Sequence, residues 1–266
     1  MSDWLDIVGK KVIVTGGSSG IGASIIDELL EQDVTVANFD LQEGKQAHEN
    51  LHFYQTDISN RQQVEENVAQ VMKDFGQIDG LVNNAGINVP RLLVDPTDPH
   101  GEFELSDAVF DKIIAINQKG VFLMTQAVVR NMVGRSEGVI INMSSESGLE
   151  GSEGQSPYAA TKAAVNSYTR SWAKELGKKG IRVVGIAPGI MEETGLRTVK
   201  YETALAYTRG ISVDDLRKNY SKTTTIPLGR SGKLSEVADL VCYYLSDRSS
   251  YITGITTNVA GGKTRG

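Results

Sequence analysis

The stretch "YAATK", Tyr158–Lys162, sets a phenol and an ammonium four residues apart. On a helix, side chains at i and i+4 share a face. Tyrosine alone is a poor base, since its phenol titrates at ~10. Bringing it to neutrality requires roughly 4 kcal/mol of selective stabilisation of the phenolate. The Lys162 ammonium would supply part of that. Ser145 ends "NMSS", 13 residues before Tyr158, and its hydroxyl could hold a reacting oxygen. Ser144 is the rival for that role. Asn117 interrupts the otherwise apolar "KIIAINQKGVF". Burying it is costly unless its amide holds a water or a backbone carbonyl. Together these groups could move a proton on or off an alcohol oxygen.

A second constellation is "TGGSSGIG", residues 15–22. Gly16, Gly20 and Gly22 let a turn stay tight and let a pyrophosphate reach backbone amides at a helix N-terminus. Ser18, Ser19 and Ile21 fill the loop between them, with no Arg or Lys. Asp40 follows Gly22 by 18 residues, at the end of the next apolar run. A carboxylate there accepts both hydroxyls of an adenosine ribose and repels a 2′-phosphate, which favours NAD over NADP. Asp57, in "QTDIS", could accept the adenine amino group.

These residues need a scaffold, and the pattern supplies one. Short β-branched runs (11–17, 34–40, 78–86, 138–145, 181–189 and 254–262) alternate with amphipathic stretches (20–32, 61–76, 110–133, 156–177 and 234–247). That alternation predicts βαβ units and a parallel sheet covered on both faces. The glycine loop then joins the first strand to the first helix, and "NMSS" reaches the carboxyl edge of the sheet, where such folds bind ligands. No repeat or linker divides residues 1–266, so a single domain is expected. Two long loops, 87–109 and 190–226, are expected to be functional.

Composition narrows the classes further. Hydrophobic residues are 40% and charged residues 23%, the globular norm. A net charge of −6 and the lack of a basic run argue against nucleic acid. The single cysteine, Cys242, forms no internal disulfide, and no His/Asp/Glu cluster has metal-ligand spacing. No leader or membrane span is expected, so the protein is read as cytoplasmic. His48, His52 and His100 read as surface or loop residues, and Tyr168 with Trp172 as core or subunit interface.

Taken in order, "TGGSSGIG", "NNAG", "INMSS", "YAATK" and "PG" resemble the short-chain dehydrogenase/reductase family over residues 8–262. The resemblance implies an α/β Rossmann-type doubly wound sheet of seven parallel strands in order 3-2-1-4-5-6-7. It implies a nicotinamide cofactor and a catalytic set of Asn117, Ser145, Tyr158 and Lys162, with Asn117 anchoring a water in a proton relay. Asn84, Ala85 and Gly86 would stand beside the cofactor, and Pro188 and Gly189 on its nicotinamide side. Two positions depart from the family pattern. Glu193 stands where a threonine is usual, with Thr194 following, and Ala260 where an aspartate is common. The two long loops resemble those of the family branch that oxidises a sugar-alcohol phosphate, sorbitol 6-phosphate, with NAD. A homo-oligomer, dimer or tetramer, is implied in the same way.

A phosphate ester carries nearly two negative charges and must meet local bases. Arg91 in the first loop and Arg197, Lys200 and Arg209 in the second are the candidates. The last three flank "YETALAY", which could form a lid helix, whereas Arg217, Lys218 and Lys222 read as a solvated helix face. Two other functions fit less well. A reductase of acyl-carrier ketones would need a basic docking patch, which the sequence does not clearly offer. A nucleotide-sensing regulator would tend to lose the tyrosine or the lysine.

Overall fold

The computed structural model describes residues 4–192, 194, 197–222 and 225–264. The chain runs β1 (Lys11–Thr15), α1 (Gly20–Glu31), β2 (Thr35–Asp40), β3 (Leu51–Gln55), α2 (Arg61–Phe75) and β4 (Gly80–Asn83). It continues with α3 (Asp107–Ile114), a π-turn (Ala115–Gly120), α4 (Val121–Met132), β5 (Gly138–Met143), α5 (Ser147–Glu150) and α6 (Ser156–Leu176). The last third holds β6 (Ile181–Pro188), α7 (Val199–Thr208), α8 (Val213–Lys222), α9 (Leu234–Leu245) and β7 (Thr256–Val259). The strands form one parallel sheet in the order β3-β2-β1-β4-β5-β6-β7.

Successive strand residues point to opposite faces, and the core divides accordingly. Val12 and Val14 of β1 and Ile141 of β5 pack on one face with Ile25 and Leu29 of α1 and Val237 and Val241 of α9. Ile13 and Ile140, their neighbours, pack on the other with Val64 and Val68 of α2, Leu123 and Val128 of α4, and Ala173 of α6. Being covered on both sides, β4 and β5 are buried throughout, which is why they read as continuous apolar runs.

Three differences from the sequence pattern have physical causes. The pattern gave only six strands, because β3, "LHFYQ", is a half-exposed edge strand without a clear apolar run. The stretch 110–133 is one continuous helical path, as the pattern gave it, but its α-register is interrupted between α3 and α4 by the π-turn, which contains Asn117. Loop 190–226 is largely helical, with "YETALAY" inside α7 and "VDDLRKNYSK" forming α8.

Candidate active site

The glycine loop is shaped by close contacts that admit no side chain. Gly16 has φ +66°, and a Cβ there would fall 2.8 Å from the Ala85 Cα. A Cβ on Gly22 would fall 2.0 Å from the Gly16 carbonyl oxygen. From the other side, the Asn84 amide donates to the carbonyls of Thr15 and Gly16 at 3.0 Å each. The first turn of α1 has no side-chain cap and no acidic residue. Its N–H groups and dipole therefore face the loop ready for an anion.

Beside the loop lies a cleft of about 320 Å³. Its walls include Gly16, Ser19, Gly20 and Ile21, then Asp40 and Asp57, then Asn84, Ala85 and Gly86, and finally Tyr158, Lys162 and Pro188. Ser18 and Gly22 are not part of this wall. The Ser18 hydroxyl donates to the Gln42 carbonyl and accepts from Asn38. The Asp40 carboxylate accepts from the N–H groups of Ser18 (3.0 Å) and Leu41 (2.6 Å), which aims it at the cleft edge.

At the inner end of the cleft, β5 and α6 deliver the chemistry. Ser145 and Tyr158 stand together on the wall of the inner cleft, where the Ser145 hydroxyl also accepts from the Ser147 N–H at 3.2 Å. Ser144 is spent elsewhere, its hydroxyl donating to the Lys162 carbonyl at 3.1 Å. The Lys162 ammonium donates to the Met143 carbonyl at 2.7 Å and lies 5.7 Å from the centre of the Tyr158 ring. Burial pushes Lys162 down to about 8. Burial also raises the Tyr158 phenol, the neighbouring Ser145 hydroxyl opposes that rise, and the Glu146 carboxylate adds to it.

Asn117 is fully buried and commits its amide to backbone. Its Oδ1 accepts from the Ile87 N–H and its Nδ2 donates to the Ile87 carbonyl, both at 2.8 Å. Nδ2 also donates to Thr161 of α6 at 3.3 Å. Of the two roles open to it from sequence, holding a backbone carbonyl is thus the one seen. It positions the segment after β4: a Cβ on Gly86 would fall 3.3 Å from Asn117 Oδ1 and 3.6 Å from Lys162 Nζ.

A second cleft, about 600 Å³, meets the first at Tyr158, Ser144, Pro188 and Thr194. Ser145, Glu146, Gly189, Arg197 and Arg209 are on its wall, with α7 and α8 contributing Tyr201, Leu205 and Leu216. Two of the four phosphate candidates are displaced from it. Arg91 is buried, with its guanidinium donating to the Pro90 carbonyl and lying over the Phe103 ring. Lys200 is on the exposed side of α7 and is absent from the lining. Of the departures, Thr194 lines both clefts while Glu193 lies outside the described residues. Ala260 is buried close against Gly189, where a Cβ on the glycine would fall 2.7 Å from its own.

Sequence reasoning missed Lys263 and its partner. Lys263 lines the second cleft and pairs with Glu146 at 2.6 Å, and Thr264 donates to the same carboxylate at 2.9 Å. The partners are 117 residues apart, so no local spacing could reveal them. The histidines behave as expected: His48 and His52 are exposed, and His100 lies in a loop 3.2 Å from Glu104. Tyr168 and Trp172 stack on each other at 4.7 Å. No described helix is long and apolar enough to cross a membrane, and no metal-binding cluster occurs among the described residues.

A parallel sheet in this order, a glycine loop opening α1, and a Ser–Tyr–Lys set at the junction of two clefts define a dinucleotide-dependent oxidoreductase site. Residues 10–204 match the short chain dehydrogenase family, and the chain belongs to that family. It is 61% identical, over the full length of both chains, to the sorbitol-6-phosphate 2-dehydrogenase of Klebsiella pneumoniae. It is 36% identical to a 3-oxoacyl-[acyl-carrier-protein] reductase of Thermotoga maritima, covering 96% of this chain and 97% of the other. Among solved structures, ligand-free aldohexose dehydrogenase of Thermoplasma acidophilum superposes with a TM-score of 0.84 at 27% identity, over 97% and 95% of the two chains. A 3-ketoacyl-(acyl-carrier-protein) reductase from Brucella melitensis complexed with NADH gives 0.82, also at 27%, over 98% and 100%. The protein is therefore a short-chain oxidoreductase using a nicotinamide cofactor.

Proposed function

We propose that the protein is an NAD-dependent dehydrogenase of a sugar-alcohol phosphate, oxidising D-sorbitol 6-phosphate to D-fructose 6-phosphate. The observation that carries this reading is the second cleft, which begins at Tyr158 and is lined by Arg197 and Arg209. It offers a polyol hydroxyls and carboxylates near the reacting carbon and guanidinium groups beyond. The full-length likeness to the Klebsiella enzyme supports the same substrate. A reductase of acyl-carrier ketones fits this lining poorly, because an acyl chain gains nothing from Glu146, Glu150 and Glu192 along the wall. A nucleotide sensor has no use for a complete Ser–Tyr–Lys set.

The cofactor would lie in the first cleft, its pyrophosphate at the N-terminus of α1 and its adenosine ribose at Asp40. When bound, it would supply the hydride acceptor for the alcohol carbon. The chain's own groups do the rest. Ser145 orients the alcohol oxygen and Tyr158 takes its proton. The Lys162 ammonium favours the phenolate, and Asn117 fixes the segment around Gly86 and Ile87.

Asp40 makes NAD the preferred cofactor. Asp40→Ser is expected to narrow the gap between NAD and NADP by removing repulsion of the 2′-phosphate. Steady-state kinetics with both cofactors check this, and equal catalytic efficiencies in the wild type would contradict it.

The phosphate is assigned to Arg209 and Arg197. Replacing the contacting arginine with alanine should raise KM for sorbitol 6-phosphate by roughly ten- to a hundredfold, the loss of one charge-assisted contact. Activity on unphosphorylated sorbitol should hardly change. If both alanine variants bind sorbitol 6-phosphate like the wild type, or if free sorbitol is the better substrate, the phosphate reading fails.

A further inference from the structure

Two acceptor groups on the wall of the second cleft are unexplained by proton transfer or by phosphate binding. The first is Glu146, directly after Ser145. Its carboxylate is 13% exposed and is held by Lys263 at 2.6 Å and Thr264 at 2.9 Å. An anion beside Tyr158 opposes formation of the phenolate, and it is felt by the phenol. A group that works against the base so close to it must contribute something else. The second is Asn88, whose side-chain carbonyl is buried, lines the same cleft and has no hydrogen-bond partner among the described residues. An orphaned buried acceptor is costly to keep, and a ligand hydroxyl would satisfy it.

We propose that Glu146 and Asn88 are specificity-determining residues that accept hydrogen bonds from substrate hydroxyls, Glu146 from the hydroxyl on a carbon next to the reacting one. This rests on the reading of the chain as a polyol dehydrogenase. The Glu146 carboxylate has two oxygens, and each retains a lone pair after binding Lys263 or Thr264. Lys263 neutralises the charge and fixes the orientation, so the carboxylate presents an acceptor at low cost in reorganisation. A substrate lacking the vicinal hydroxyl leaves this acceptor desolvated and unpaired. Sites built to bond a hydroxyl reject the analogue without it more strongly than apolar sites reject a missing methylene.

The test uses ketone reduction with NADH, which needs no phosphate. Hydroxyacetone and acetone differ by the vicinal hydroxyl alone, as do fructose 6-phosphate and its 1-deoxy analogue. The wild type is expected to prefer the hydroxylated member of each pair in kcat/KM. In Glu146→Ala that preference should fall roughly ten- to a hundredfold, the range for a hydrogen bond to a charged group; it is read as the ratio of kcat/KM within each pair, in which any effect of the lost charge on Tyr158 cancels. Glu146→Gln, which keeps an acceptor oxygen, should restore part of it. Asn88→Ala should lower kcat/KM for fructose 6-phosphate relative to that for acetone. Thermal melts show whether the variants are folded, and if Glu146→Ala is not, Glu146→Gln and Asn88→Ala carry the test. A wild type indifferent to the vicinal hydroxyl overturns the proposal, as do variants that keep its full preference. If phosphorylated ketoses are refused while hydroxyacetone is still preferred through Glu146, the substrate assignment fails and this inference stands.

Discussion

Tyr158→Phe is expected to lower turnover by about 10²–10⁴-fold, the range for loss of a general base, while NAD affinity stays nearly intact. The substitution removes one oxygen and leaves the ring in place on α6. Tyr158 lines both clefts, beside Ser145, so the oxygen is lost from the point where cofactor and substrate meet. Oxidation needs the phenolate and reduction needs the phenol. Because burial first, and Glu146 after it, raise the phenol, oxidation by the wild type should climb as pH rises and ketone reduction should decline. The residual rates of the phenylalanine variant should show neither limb. Retention of more than about a tenth of the wild-type rate would show that another group moves the proton.

Lys162→Met should cost roughly 10²–10³-fold in turnover, as does the loss of a preorganised charge in a dry site, and should also raise KM for NAD. The two readouts move together because Lys162 lines the cofactor cleft and faces the Tyr158 ring. Stability should move the other way. Burial has already brought the ammonium down to about 8, so the folded state pays for keeping it charged. A methionine of similar length carries no such cost, and the melting temperature of the variant should equal or exceed that of the wild type. A variant that is both inactive and markedly less stable would point to a structural role for the Lys162–Met143 hydrogen bond.

Much of this site could be read from the sequence because its determinants are local. The glycines of residues 15–22 and the Tyr158–Lys162 spacing are each set within one turn or one helix, and Asp40 ends the adjacent strand. Helical and strand periodicity placed most elements for the same reason. The failures are of a different kind. β3 lies at the sheet edge and lacks the burial that writes an apolar run. Whether Arg91 or Arg209 faces the cleft depends on how two separate loops pack, and nothing local to either arginine reports that. The Glu146–Lys263 pair joins the end of β5 to a segment after β7, a contact made only once the sheet is complete.

The π-turn at Ala115–Gly120 acts as a phase shifter. α3 and α4 belong to one continuous helical path, yet the widened turn advances one segment's angular setting relative to the other. On an unbroken α-helix each residue steps by about 100°, so a single extra residue decouples the two faces. The apolar stripe of α4 can stay on the sheet while the Asn117 amide is turned toward Ile87 and Thr161. Packing and positioning thus occupy the same rod without sharing one register, and substitutions in the α4 stripe can be selected for stability with the amide's aim left alone.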